Sequence, residues 1–328
     1  MPAVPTISVS GLTKSYTETT GLFDLDLEAL AGSVTALLGP NGAGKTTAVR
    51  LLATLLKPDR GHMRIGGYDA VRQPREVQAL IGLTGQSASV DAKLTGKGNL
   101  AMFGRLHHLP WRTIRERSRL LLERFDLATA ANKPVQSYSG GMRRKLDLAV
   151  SLIAEPSILF LDEPTTGLDP ASRQALWEII RDLVAQGATV LLTTQYLDEA
   201  DALADQITFI DAGRRIAQGT PAELKAQVGQ AQLRLTFRST ADAEVAGAAL
   251  ERPAAVQSGA VVQLPLPGVR DGGLAALKTV IDAVDRAGVS PERYDVQEPT
   301  LNDVYFQLTG HQRPDEETKE NSAKEKTR

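Results

Sequence analysis

From Ile7 to about Gly229, short apolar or β-branched runs alternate with stretches of helical period, the pattern of strands and helices wound into an α/β layer structure. Val34–Leu38 reads as a buried strand, Gly39–Gly44 as a loop, and Thr46–Leu56 as a helix stopped by Lys57-Pro58. Ser157–Leu161 is a second continuous run, as expected of a parallel strand covered on both faces. Between roughly Ser87 and Gln136 the pattern predicts a helical insert. There Ile114, Leu121, Leu122 and Phe125 share one side of a charged stretch and leave its arginines to solvent.

Near Gln230 the composition shifts to an Ala- and Val-rich segment. Leu233, Leu235 and Phe237 alternate as a half-buried strand, Val261, Val262 and Leu264 give another, and Leu274, Leu277, Ile281 and Val284 form a helical stripe. The expected organisation is therefore an α/β domain over 6–229 with its helical insert at about 87–137, a small C-terminal α+β domain over 230–311, and a charged tail over 312–328. That tail lacks apolar side chains to offset its ordering entropy, so disorder is expected there. No repeat of solenoid period is visible.

Composition narrows the chemistry. The 328 residues allow one large domain and a smaller one, and 37 basic against 39 acidic residues give no charge footprint for a polyanion, so nucleic acid is not an expected partner. The absence of cysteine removes disulfides, zinc-thiolate clusters and thiol nucleophiles. Met1–Thr13 lacks the basic and apolar regions of a secretory signal, and no apolar run approaches the ~20 residues of a membrane span. The chain is expected to stay inside the cell and not to cross a membrane by itself.

Gly39-Pro40-Asn41-Gly42-Ala43-Gly44-Lys45-Thr46 matches the phosphate loop G-x-x-x-x-G-K-[ST] between a strand and a helix. Its glycines let successive backbone N–H groups turn toward one anion, Lys45 would reach the β- and γ-phosphates, and the Thr46 hydroxyl would ligate Mg²⁺. The apolar run Ser157–Leu161 ends in Asp162-Glu163-Pro164. Asp162 is suited to hold Mg²⁺ and Glu163 to polarise a water; the pair alone reads more readily as a solvated loop start, and the phosphate loop reverses that. Ser139-Gly140-Gly141-Met142 precedes a helix with Leu146, Ala149, Val150 and Ile153 on its apolar face. Ser139 is an expected N-cap there, either of a plain helix or of a second anion-binding terminus. The neighbouring Arg143-Arg144-Lys145 run reads as a solvated or interface face.

The phosphate loop, Gln86, Ser139-Gly140-Gly141-Met142, Leu159–Pro164 and Gly167-Leu168-Asp169, in this order, resemble the ATP-binding cassette (ABC) ATPases over Ile7 to about Gly229. The resemblance implies a P-loop NTPase fold with an ABC-type nucleotide-binding domain, binding ATP and Mg²⁺. It also implies a head-to-tail homodimer in which Ser139, Gly140 and Gly141 of one copy close over ATP held by the other's phosphate loop, Thr47 included. By the same resemblance Tyr16 stacks on adenine, Gln86 senses the metal and the attacking water, and Asp169 lies at the dimer seam.

Two positions depart from the family pattern. Tyr138 stands where leucine commonly precedes Ser-Gly-Gly, and Gln195 stands where the switch histidine is usual. A glutamine amide can donate a hydrogen bond but cannot carry a proton at neutral pH, so Glu163 is expected to activate water and Gln195 to position. Thr193–Asp201, Gly219–Lys225 and Glu298–His311 resemble the daunorubicin/doxorubicin-resistance branch of antibiotic exporters. That implies an ATP-hydrolysing subunit, peripheral to the cytoplasmic face of the cell membrane, that drives a separate integral membrane permease docked near Ser87–Gly104. The alternative is a soluble ABC ATPase acting on ribosome or DNA, whose members resemble fused paired cassettes or carry zinc insertions. A third reading, a nucleotide-binding module with dead catalysis, rests on Gln195 alone.

Overall fold

The uniformly apolar runs become the middle of a parallel sheet. The computed structural model describes residues 5–85, 89–229, 231–250, 256–266 and 273–309, and the chain divides into two units between Pro221 and Ala222. In chain order the first unit comprises β1 (Pro5–Ser15), β2 (Gly21–Leu30), β3 (Val34–Leu38), α1 (Lys45–Leu52), β4 (Arg60–Ile65), β5 (Tyr68–Asp69), α2 (Pro74–Leu80) and β6 (Ile81–Thr84). There follow α3 (Gly96–Leu106), α4 (Trp111–Arg124), α5 (Gly140–Ser151), β7 (Ile158–Asp162), α6 (Pro170–Ala185), β8 (Thr189–Thr194), α7 (Leu197–Leu203), β9 (Gln206–Asp211) and β10 (Arg214–Gly219).

Six strands form the main sheet in the order β10-β9-β3-β8-β7-β6, parallel except for the edge strand β10. Every residue of β3, β7 and β8 is buried, as a parallel sheet covered on both faces demands. A second, antiparallel sheet runs β2-β1-β4-β5 and shares a core with α1 through Leu12, Leu25, Leu51, Leu52 and Ile65. Register then decides where the loops emerge. Leu38 lies opposite Thr194, and Asp162 opposite Thr193, so the loops leaving β3, β7 and β8 open along one carboxyl edge.

Helix α1 stops at Leu52, before the expected Leu56. Thr54 adopts φ 60°, its N–H donates to Leu51 O at 3.0 Å, and the Leu55 N–H donates to Arg50 O at 2.8 Å. These two bonds form a Schellman stop with threonine where glycine is usual, which is why no glycine signal announced it. Within the helical insert, Thr95 caps α3 by accepting from Gly98 N at 3.0 Å, and Ile114 and Leu122 turn the apolar face of α4 inward. Tyr138 is buried, and its hydroxyl donates to Ala130 O at 2.7 Å.

The second unit, described by itself, begins within α8 (Pro221–Val228). It continues through β11 (Ala231–Thr236), α9 (Thr240–Ala249), β12 (Val256–Ser258), β13 (Val261–Leu266), α10 (Gly273–Arg286), β14 (Arg293–Gln297) and α11 (Leu301–Thr309). From β11 to β14 this is a β-α-β-β-α-β unit whose antiparallel sheet runs β12-β13-β11-β14, the split β-α-β plait. Its core gathers Leu233, Leu235 and Phe237 with Val262, Leu264, Val280 and Val284. The sequence pattern anticipates β11, β13 and α10 but not α9, β12 or β14. The charged tail at 312–328 lies outside the described residues. Among the described residues no helix is long and apolar enough to cross a membrane.

Candidate active site

The loop after β3 is shaped by close approach. A Cβ on Gly39 would stand 2.1 Å from Ile210 O, and Gly44, the N-cap of α1, sits at φ 101°. No acidic side chain occupies the first turn of α1, so its partial positive charge is uncompensated from within the helix. Lys45 opens that helix and is buried. Its Nζ donates to Gly39 O at 2.8 Å and Pro40 O at 3.0 Å, and lies 3.3 Å from Glu163 Oε1.

The end of β7 supplies the facing carboxylates. Asp162 Oδ1 accepts from Thr193 Oγ1 at 2.6 Å and from Thr46 Oγ1 at 3.3 Å, linking β7, β8 and α1 through one oxygen. Glu163 follows with φ 49°, a left-handed conformation costing a non-glycine residue about 1–3 kcal/mol. Several bonds hold it there. The Glu163 N–H donates to Thr193 O at 3.1 Å and to Thr193 Oγ1 at 3.0 Å, while Thr166 Oγ1 donates to Glu163 Oε2 at 3.2 Å.

Tyr16, Asn41, Lys45, Thr46, Thr47 and Glu163 line a cavity of about 250 Å³. Tyr16 is 54 % exposed at this cavity rather than packed into the core. Larger cavities of about 500 and 610 Å³ beside α4 contain none of these residues.

The remaining sequence candidates lie elsewhere. Ser139 and Gly140 are exposed, with Ser139 Oγ accepting from Met142 N at 3.2 Å as N-cap of α5. A Cβ on Gly141 would stand 2.9 Å from Ser172 Oγ, so the starts of α5 and α6 are neighbours. Asp169 caps α6: Ser172 Oγ donates to Asp169 Oδ2 at 2.6 Å and Ser172 N to Oδ1 at 3.0 Å, holding this carboxyl below its ordinary range. None of these lines the cavity around Lys45. Gln195 is partly buried just beyond β8, followed by Tyr196, whose ring lies 4.8 Å beneath the Arg173 guanidinium. Gln86 lies outside the described residues.

Among the described residues three buried ionisable groups, Arg144, Asp147 and Glu199, lie outside the sequence expectations. Arg144 is not on a wet face: it is 8 % exposed, and its guanidinium donates to four main-chain oxygens. Nε reaches Pro164 O at 2.7 Å, Nη1 reaches Gly85 O at 2.6 Å, and Nη2 reaches Asp162 O at 3.0 Å and Glu163 O at 2.8 Å. Burial draws its pKa down, opposed chiefly by Asp147, whose own carboxyl burial pushes up. Glu199, wholly buried on α7, accepts from Trp177 Nε1 at 3.2 Å. Desolvation raises its pKa, opposed by the Trp177 hydrogen bond and the nearby Arg173 charge. The only sequence signal for Arg144 was its place four residues before Leu148, on an inward stripe of α5.

A glycine loop running from a buried strand into a helix, its lysine paired to a carboxylate from a strand two places away, defines the P-loop nucleotide-hydrolysing class. The ABC transporter family model matches residues 22–166. Daunorubicin resistance ATP-binding protein DrrA3 of Streptomyces coeruleorubidus is 49% identical over 319 residues, covering 94% of this chain and 96% of the relative. Daunorubicin/doxorubicin resistance ATP-binding protein DrrA of Streptomyces peucetius is 45% identical over 330 residues, covering 98% and 97%. Among solved structures, an ATP-binding subunit of an ABC transporter aligns with TM-score 0.61 and 29% identity, covering 67% of this chain and 92% of its own. The chain belongs to the ATP-binding subunits of ABC transporters and is an ATPase.

Proposed function

We propose that two copies of this chain clamp ATP between them and drive a separate membrane permease that exports a drug, working from the cytoplasmic face of the membrane. The observation that carries the composite site is a separation within one chain. Lys45, Thr46, Thr47 and Glu163 gather at one cavity, whereas Ser139 and Gly140 stand exposed at a helix start outside it. A capped, anion-ready helix terminus facing solvent, beside the Asp169 cap, suits a nucleotide held by a second copy. Export and drug resistance come from likeness to relatives named for daunorubicin resistance and for Nod factor export.

In this reading Gly39–Thr46 wrap the phosphates, and the three protons of Lys45 Nζ turn from Gly39 O and Pro40 O toward phosphate oxygens. Tyr16 offers its exposed ring to the base. The Thr46 hydroxyl and the Asp162 carboxylate are hard oxygen donors 3.3 Å apart, a set that fits Mg²⁺, with Gln86 as a further ligand. When bound, the ion would neutralise charge on the β- and γ-phosphates. Glu163 takes the proton of the attacking water, and Gln195, which cannot carry a proton, orients by its amide.

The test mixes two inactive variants of the full chain. Lys45→Ala disables the phosphate loop and Ser139→Arg the capped turn, and each alone is expected to lose ATPase activity. A mixed dimer retains one intact site assembled from the wild-type half of each copy. Recovery of turnover on mixing is the expected result, and a mixture as inactive as its components refutes the composite site.

A further inference from the structure

We infer that Arg144 is a positioning residue for hydrolysis, tying the helix that begins at Ser139 to the backbone that aims Glu163. The inference rests on the assignment of Glu163 as general base. The guanidinium does not reach the cavity, and no role in binding phosphate is available to it. Among the described residues its four hydrogen bonds end on main-chain carbonyls, one just after β6 (Gly85) and three at or just after the end of β7 (Asp162, Glu163 and Pro164).

Those carbonyls are the ones that matter for aim. Glu163 is held at φ 49°, where a non-glycine backbone persists only if its surroundings over-determine it. Thr193 fixes the N–H side of that residue, and Arg144 fixes the carbonyl side of it and of both neighbours. The fourth bond, to Gly85, joins the same clamp to the strand end that leads directly into Gln86. Asp147, one turn further along α5, steadies the cation: its Oδ2 lies 3.6 Å from Arg144 Nη1, and its Oδ1 accepts from Ser89 N at 2.6 Å.

Geometry also sets a direction for the coupling. Ser139 and Arg144 lie on one rigid helix, separated by less than two turns, about 8 Å along the axis. A shift of the Ser139 end when a second copy's nucleotide docks there moves the guanidinium, and with it the carbonyls on either side of the Glu163 side chain. Only a planar fork with five donors can span four oxygens in this way, so lysine is not an equivalent.

The experiment measures ATPase kcat, KM for ATP and thermal midpoint on the full chain for Arg144→Lys, Arg144→Met, Glu163→Gln and the Arg144→Met/Glu163→Gln double variant. Misaiming a catalytic group by about 1 Å costs on the order of 100-fold in rate. Both Arg144 variants are therefore expected to lose roughly 10- to 100-fold in kcat, with KM changed less than about twofold. The double variant should turn over no more slowly than Glu163→Gln alone, because Arg144 acts through that residue. If Arg144→Met fails to fold, the lysine variant and its double with Glu163→Gln decide the matter. Losses that multiply in the double variant, or wild-type kcat in a folded Arg144 variant beside a slow Glu163→Gln, overturn the inference while leaving the base assignment standing. Wild-type turnover in Glu163→Gln itself refutes the base assignment, and the inference with it.

Discussion

Replacing Thr193 by valine keeps its shape and removes one hydroxyl. That hydroxyl is wholly buried on β8, donates to Asp162 Oδ1 at 2.6 Å and accepts from Glu163 N at 3.0 Å. The two losses differ in cost. The Glu163 N–H keeps Thr193 O as an acceptor at 3.1 Å, so it is not orphaned. Among the described residues, Asp162 loses a short donor to a carboxylate and keeps the longer contact from Thr46 at 3.3 Å. A hydrogen bond to a charged group contributes about 1.5–3 kcal/mol, and Thr193→Val should destabilise by about that amount. The readout is convenient because both tryptophans, Trp111 and Trp177, lie in the ATP-binding unit, so intrinsic fluorescence in urea reports that unit alone. The midpoint should fall with the slope unchanged, and Thr193→Ser should restore most of it. A change below about 0.5 kcal/mol, the level of an ordinary surface substitution, would show that this hydroxyl does not organise the carboxylates.

Two further outcomes follow from the packing. Gly39→Ala forces a Cβ to within 2.1 Å of the backbone oxygen of Ile210, which no flexible side chain can relieve. It should cost about 3 kcal/mol or more and abolish nucleotide binding in an equilibrium titration; normal affinity would contradict the close approach. Glu199→Gln removes a buried carboxyl whose pKa is raised above its ordinary 4.5 by desolvation. A raised carboxyl binds its proton more readily folded than unfolded, so wild-type stability declines as pH rises from about 4.5 through the folded value. The melting point of Glu199→Gln relative to wild type should therefore be highest near neutral pH and lose its advantage below about pH 4.5; a difference that does not vary with pH speaks against the desolvated carboxyl.

Much of the fold was written locally. Val34–Leu38 and the run ending at Leu161 read as doubly covered strands, and the glycines from Gly39 to Gly44 marked the loop between strand and helix, because each depends on residues within a few positions of one another. The stripe of Leu277, Ile281 and Val284 likewise announced α10. Features set by long-range contact were not legible. Thr54 ends α1 with a left-handed residue that propensity does not favour. The segments forming α9, β12 and β14 carry little periodicity of their own; α9 buries Ala243 and Ala246 only once its neighbours are in place.

The candidate site divides along the same line. Sequence alone picked out the phosphate loop and the Asp162-Glu163 pair as the candidate site that the structure gathers at one edge, because the spacing of a loop about one anion is a local property. Tertiary structure decided that Thr193 would bridge those two carboxylate residues and that Ser139 would stand outside the cavity. It also decided that Arg144, one of three consecutive cations, would turn inward. Its partners Gly85 and Glu163 lie 59 and 19 positions away, and a charged side chain enters the interior only where such distant carbonyls converge to satisfy it.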